Sequence, residues 1–128
     1  MTAGVGMDLI EVARIERALD RHPRLAQRLF TEQELEYAGV KGRPGRHLAA
    51  RFAAKEAVVK ALGLGNGTAL REIEVIPGDD VDPAPRLKLH GAVQSAARTR
   101  GMEVRISLTH AREMAGAVAI AETAPEAT

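Results

Sequence analysis

Asp8 lies in Val5-Gly6-Met7-Asp8-Leu9-Ile10, where large apolar residues alternate with Gly and Asp as they do in a strand. Asp is disfavoured there, and a buried carboxylate requires a cation, a metal or several donors. An Asx-type bond or an N-cap for the helix that begins near Glu11 would also satisfy it. Glu56 falls on the longest helical pattern of the chain, Arg46 to Leu62. Together Asp8 and Glu56 offer two hard oxygen ligands. That is few for calcium but enough for Mg²⁺, which keeps waters and completes its shell from substrate phosphates. Lys60, Arg51 and the loop Gly63-Leu64-Gly65-Asn66-Gly67 add cations and bare backbone amides that suit a phosphate. Because the loop follows a helix rather than opening one, a plain C-cap at Gly63 is the competing explanation. Likewise an exposed Glu56–Lys60 ion pair, worth a few tenths of a kcal/mol, competes for those two residues.

Lys55 falls inside a stripe of Leu48, Phe52, Val59 and Leu62, with Ala49, Ala50, Ala53, Ala54, Ala57 and Ala61 on the other side. A lysine there either lets its ammonium snorkel outward or finds a single carboxylate. Arg14, Arg17, Arg21, Arg24 and Arg28 recur at spacings of 3, 4, 3 and 4. On a continuous helix they would occupy an arc of roughly 80°. Five arginines without a lysine favour bidentate docking of carboxylates or phosphates over plain solubility, although Pro23 must bend the stripe.

The elements that must position these residues are short. A strand over Val5–Ile10 leads into a helix from Glu11 to Leu19, and Pro23 suits the first turn of a second helix. Thr31-Glu32-Gln33-Glu34 is a capping box that opens a third, and Gly39 to Gly45 is a loop. Arg46 to Leu62 is the long helix. Ile73–Ile76 and Leu87–Leu89 are strands about a turn at Pro77-Gly78-Asp79-Asp80, and Gly91 to Arg100 is helical. Val104, Ile106, Leu108 and His110 share one strand face, with Arg105, Ser107 and Thr109 on the other. A return strand from Met114 to Ala121 would carry Ala115, Ala117, Ala119 and Ala121 on one side, which lets a helix approach closely. The expected class is α+β, a small, mostly antiparallel sheet packed on one long central helix. Residues 1–123 form a single domain and 124–128 a C-terminal tail.

Composition narrows the functions. Hydrophobic residues are 45% of the 128 but aromatics only 2%, which leaves almost nothing for base-stacking platforms. A net charge of +1 provides no global positive field for nucleic acid. With no cysteine there is no disulfide or thiolate site, a composition that suits a reducing cytoplasm. No apolar run approaches the ~20 residues of a membrane span. Two other classes compete with phosphate chemistry. One is a small nucleic-acid-binding module using the Arg14 to Arg28 stripe, and the other a trimeric scaffold in which Asp8, Lys55 and Glu56 form a buried ion network.

Gly4-Val5-Gly6-Met7-Asp8, the run from Phe52-Ala53-Ala54-Lys55-Glu56-Ala57 through Lys60 to Gly63, and Ile106-Ser107-Leu108-Thr109-His110 resemble, in that order, holo-acyl-carrier-protein synthase, the short branch of the 4′-phosphopantetheinyl transferases. The resemblance spans almost the whole chain. It implies the phosphopantetheinyl transferase fold and transfer of phosphopantetheine from coenzyme A to a serine of apo-acyl carrier protein, with release of 3′,5′-ADP, for fatty acid biosynthesis. It also implies a homotrimer with each site between protomers. Asp8 and Glu56 match the Mg²⁺ ligands, Arg51, Lys60 and the Gly63 to Gly65 turn match the coenzyme A phosphate surroundings, and Lys55, the motif's first lysine, is expected with Arg46, Arg51, Gly63, Gly65 and His110 among the cofactor-binding residues. His110 matches a histidine beside the coenzyme A site that can come from the adjacent protomer, and Arg46 lies where basic residues approach the nucleotide. Arg14, Arg21 and Arg24 match the carrier-protein docking helix, with Arg17 and Arg28 completing the same stripe. Asp8, Glu56, Lys60 and His110 are thus the expected catalytic set. The expected base is a water or hydroxide organised by the metal and Glu56, ahead of His110. Met7 stands where Ile or Leu is common, and Ala111 follows His110 where some relatives have Asp. Glu34 also matches a recurring family position and is assigned a structural role.

Overall fold

The computed structural model describes residues 2–125. Its elements run β1 (Thr2–Glu11), α1 (Val12–Arg21), α2 (Leu25–Leu29), α3 (Glu32–Gly39), α4 (Pro44–Leu62), a 3₁₀ turn (Leu70–Glu72), β2 (Ile73–Ile76), β3 (Arg86–Leu89), α5 (Gly91–Thr99), β4 (Met102–His110) and β5 (Met114–Thr123). β1, β5 and β4 form one sheet in that order, and β2 with β3 a second. All of these pairings are antiparallel. Of the expected tail, Ala124 is tied down by its amide, which donates to the Gly101 carbonyl at 2.8 Å. Residues 126–128 lie outside the described residues.

Small side chains set the layer spacing. Ala115, Ala117, Ala119 and Ala121 of β5 are buried toward α4, whose Ala49, Ala50, Ala53, Ala54, Ala57 and Ala61 meet them. β1 continues the same surface with glycine. A Cβ on Gly4 would collide with the Ala61 carbonyl oxygen, and one on Gly6 with that of Ala57. Strand and helix therefore touch backbone to backbone, and dispersion over that close contact replaces the bulk of larger side chains. α4 is buried on most of its circumference, as expected of a central helix. Its open side is the line Phe52, Glu56 and Lys60, so Phe52 is only partly buried and is not the core anchor that the 4, 3, 4 stripe predicts.

Boundaries moved for local reasons. Pro44 starts α4 at its first turn, where a missing N–H costs nothing, so the preceding loop is two residues shorter than its Gly45 end suggested. Pro23 lies in the turn between α1 and α2, not in the first turn of α2, which begins at Leu25. Asp8 stays within β1, paired opposite Ala117, and does not cap α1, whose N-cap is Glu11. The Thr31 capping box is present with both of its bonds.

Candidate active site

β1 and α4 bring Asp8, Glu56 and Lys60 together. The backbone contact at Gly6 and Ala57 sets Asp8 one step further along β1, beside the open line of α4. Lys60 Nζ donates to the Met7 carbonyl at 2.9 Å and lies 3.5 Å from Asp8 Oδ1. Thus the i, i+4 pair with Glu56 is not what Lys60 makes, and Glu56 has no hydrogen-bond or ion-pair partner among the described residues. Burial first, and then the nearby charge of Asp8, push the Glu56 carboxyl above its ordinary range, while Lys60 opposes them. Two carboxylates that repel across a shared space fit a hard divalent cation. No group of three or more His, Cys, Asp or Glu gathers to hold a metal among the described residues. Such an ion would therefore take its remaining ligands from water and phosphate oxygens, the donor set that suits Mg²⁺.

Beside Glu56 opens a cavity of about 960 Å³, lined among others by Val59, Gly65, Thr68, Leu70, Arg28 and His90. Gly63 takes the left-handed conformation (φ 67°) that ends α4, and its amide, like that of Leu64, is bonded back to the last turn. The expectation that Gly63 offers an amide to phosphate is corrected accordingly: the C-cap consumes it, and Gly65 is the member of that turn that faces the cavity.

Lys55 is the second correction. Its side chain is 0% exposed, and its three protons go to Glu34 Oε1 at 2.8 Å and to the Leu70 and Ile73 carbonyls at 3.0 and 2.6 Å. Nothing remains to meet a ligand, so Lys55 is a structural cation that ties α3 and the β2 segment to α4, not a cofactor-binding residue. Desolvation holds its ammonium below the usual lysine range, against the pull of Glu34. The expected single carboxylate is Glu34, contributed by the capping box, and the buried network of Asp8, Lys55 and Glu56 does not form.

A separate basic cluster occupies the other end of α4. Arg51 is buried, stacks over the Tyr37 ring at 4.3 Å, donates to the His47 carbonyl at 3.4 Å, and has a partnerless Nε, as does Arg46. His47 contacts Tyr37 and His110 edge to face, with ring centroids 6.0 and 5.9 Å apart, and Lys41 lies over the opposite aromatic neighbour, Tyr37. Burial, followed by Arg51, His110, Lys41 and Arg46, holds His47 below its ordinary pKa. No carboxylate pairs with Lys41, Arg46, His47, Arg51 or His110 among the described residues, whereas Arg43 nearby is clamped between Glu16 and Glu113. An anion would relieve that excess. Sequence reasoning named Arg46, Arg51 and His110 but missed Tyr37, Lys41 and His47. The i, i+4 spacing of His47 and Arg51 was the available signal.

The two groups do not meet within one chain. His47 and Glu56, like Arg51 and Lys60, are nine residues apart, which on an α-helix is roughly 13 Å along the axis and about 180° around it. The arginine stripe is exposed throughout, with Arg14, Arg17 and Arg21 on α1, Arg24 in the turn and Arg28 on α2.

A family model described as the 4′-phosphopantetheinyl transferase superfamily matches residues 4–116. This chain belongs to that superfamily. It is 46% identical over 120 residues to a holo-[acyl-carrier-protein] synthase of Moorella thermoacetica, covering 92% of each chain. Among solved structures, the holo-[acyl-carrier-protein] synthase of Neisseria meningitidis superposes with a TM-score of 0.84 at 30% identity, covering 95% of this chain and 99% of that one. The Bacillus anthracis enzyme, in complex with CoA (3′,5′-ADP), does so at 0.76 and 36%, covering 97% and 99%. The phosphopantetheinyl transferase fold and the α+β class are as expected. No helix among the described residues is long and apolar enough to cross a membrane.

Proposed function

We propose that this chain is the Mg²⁺-dependent enzyme that transfers 4′-phosphopantetheine from coenzyme A to a serine of apo-acyl carrier protein. The observation that carries this beyond family membership is the pair of mutually repelling carboxylates, Asp8 and Glu56, with Lys60 beside Asp8 and with Glu56 lining the cavity. Asp8 and Glu56 would hold the ion. Bound there, Mg²⁺ supplies charge neutralisation for the pyrophosphate as negative charge moves onto the leaving phosphate. Lys60, more than half exposed, has a proton left to donate to the same oxygens. The serine Oγ forms a bond to the β-phosphorus as the bond to the bridging oxygen breaks, and 3′,5′-ADP departs with that electron pair. Glu56, with no protein partner among the described residues, would organise together with the ion the water or hydroxide that takes the serine proton.

The separation along α4 supports a site shared between copies. In coenzyme A the 3′-phosphate and the 5′-pyrophosphate hang from one ribose, so they cannot reach Arg51 and Lys60 on opposite sides of the same helix. The Arg46, Arg51 and His110 cluster of one protomer therefore completes the Asp8, Glu56, Lys60 and Gly65 half of its neighbour. The outer face of the large sheet favours such an assembly, because Val5, Met7 and Leu9 are 64%, 66% and 66% exposed and Val118 lies beside them on β5. A homotrimer closes three equivalent sites, and a cysteine-free chain suits the cytoplasm. The stripe Arg14, Arg17, Arg21, Arg24 and Arg28 docks the acidic carrier protein.

Mass spectrometry of apo-acyl carrier protein incubated with coenzyme A and Mg²⁺ tests this reading. Wild type should add one phosphopantetheine, and chelation of the metal should stop it. Asp8→Ala and Glu56→Ala should each abolish transfer in a folded oligomer. Near-normal turnover in both variants overturns the metal assignment.

A further inference from the structure

His47 lies one turn before Arg51 on α4, and the charged groups that act on its ring are all basic. On α4 itself these are Arg46 and Arg51, on the loop after α3 Lys41, and on β4 His110, whose ring centroid is 5.9 Å away. From α3 comes only the Tyr37 ring, at 6.0 Å. The carboxylates that reach this field are already taken. Glu16 and Glu113 act on Arg46 but are hydrogen-bonded to Arg43, and Glu34 acts on Arg51 but is bonded to Lys55. Arg51 is 5% exposed, with a buried Nε that meets no acceptor, and the Nε of Arg46 is in the same state. Buried donors seldom go unpaired. The cluster therefore lacks an anion, and its two histidines are the members whose charge can change near neutral pH.

Of the two, His110 is exposed and His47 half-buried. The His47 ring meets its neighbours edge to face, and neither of its nitrogens is hydrogen-bonded or sealed from solvent among the described residues. Burial and then the surrounding cations hold it below its ordinary pKa, so it is mostly neutral at pH 7 before a ligand arrives. A phosphate monoester against Arg51 reverses that field. Its charge offsets Arg46, Arg51 and Lys41, and an opposite charge within about 4–6 Å draws a proton onto a titratable group. In coenzyme A the monoester is the 3′-phosphate, whereas the pyrophosphate belongs with Lys60. From this arrangement we infer that His47 is a binding residue for the 3′-phosphate of coenzyme A, and that its ring takes up a proton as the phosphate arrives and donates a hydrogen bond to it. The inference rests on the proposed transferase reading. By linkage, the contribution of His47 to nucleotide affinity grows as pH falls from the bound to the free pKa of the ring, and is lost as pH rises through that window.

Magnetic resonance titration of the imidazole protons reads each ring separately, with His22, His47, His90 and His110 assigned by replacing each with Gln. The probes are 3′,5′-ADP, which carries the 3′-phosphate, and 5′-AMP, which lacks it, each saturating the Mg²⁺-loaded oligomer. The pKa of His47 should rise by about one pH unit or more with 3′,5′-ADP and by less than about half a unit with 5′-AMP. A rise of about one unit means that the protonated ring binds the phosphate about tenfold more tightly than the neutral ring. Calorimetry on wild type and His47→Gln gives an independent reading, because comparing the two proteins at one pH cancels the ligand's own ionisation. The ratio of their affinities for 3′,5′-ADP should grow about three- to tenfold from pH 8 to pH 6. An unmoved His47, equal rises with the two nucleotides, or a rise at His110 alone overturns the inference. A ratio that stays constant across the pH range overturns it as well. If wild type fails to transfer from coenzyme A while the rise at His47 persists, the transferase reading falls and the phosphate site stands.

Discussion

Replacing Lys55 with methionine distinguishes a structural cation from a ligand-binding one. The substitution keeps the packed stem and deletes the ammonium, leaving Glu34 with a buried charge whose remaining donors are the Thr31 and Val75 amides. The Leu70 and Ile73 carbonyls lose their partner as well. Removing one member of a fully buried ion pair costs about 3–5 kcal/mol. That is a fifth or more of the roughly 5–15 kcal/mol that holds a domain together. At about 3–4 °C per kcal/mol for a chain of this size, the melting temperature should fall by about 10–20 °C. Adding Glu34→Gln removes the stranded charge while retaining an acceptor for one amide, so the double variant should recover part of the loss. The assay is thermal denaturation followed by circular dichroism, with coenzyme A kinetics measured well below each midpoint. There the folded Lys55→Met enzyme should show a KM for coenzyme A within about twofold of wild type. An unchanged melting temperature together with a tenfold rise in that KM would refute the structural assignment and return Lys55 to the substrate.

Two other perturbations address assembly and docking. Met7→Glu puts a charge on the apolar outer face of β1, so light scattering should find monomers, and transfer should vanish with them if, as proposed, each site is shared by two chains; an active monomer would refute the shared site. Reversing Arg14 and Arg21 to Glu should slow association with the carrier protein by about tenfold or more at low salt and flatten its salt dependence, with coenzyme A affinity unchanged. If wild type instead binds nucleic acid more tightly than apo-acyl carrier protein at physiological salt, and the reversal removes only that binding, the docking assignment fails.

Much of the candidate site was legible as an ordered set of anomalies. Asp8 in a strand, Glu56 and Lys60 one turn apart, and a glycine ending the helix are all local facts, and the structure gathers them along one line. The alanine face of β5 was legible too, because period-two patterning prevailed over alanine's helix propensity. The backbone contact made by Gly4 and Gly6 was not, since the alternation of β1 looks the same whether glycine fills a space or grants an approach.

What the sequence determined by itself is the type of chemistry and the order of the elements, because residue type, periodicity and capping are carried within a few positions of the chain. Partnership was decided only by the tertiary structure. Glu34 is 21 residues from Lys55, and nothing local distinguishes a lysine destined for a buried carboxylate from one destined for a phosphate. The same holds for Glu74 and His90, 16 residues apart, and for Arg51 and Lys60, which share a helix but face opposite sides of it. In each case the outcome depends on which surfaces the close packing of β1, β5 and α4 leaves open, and that spacing exists only once the strands have paired.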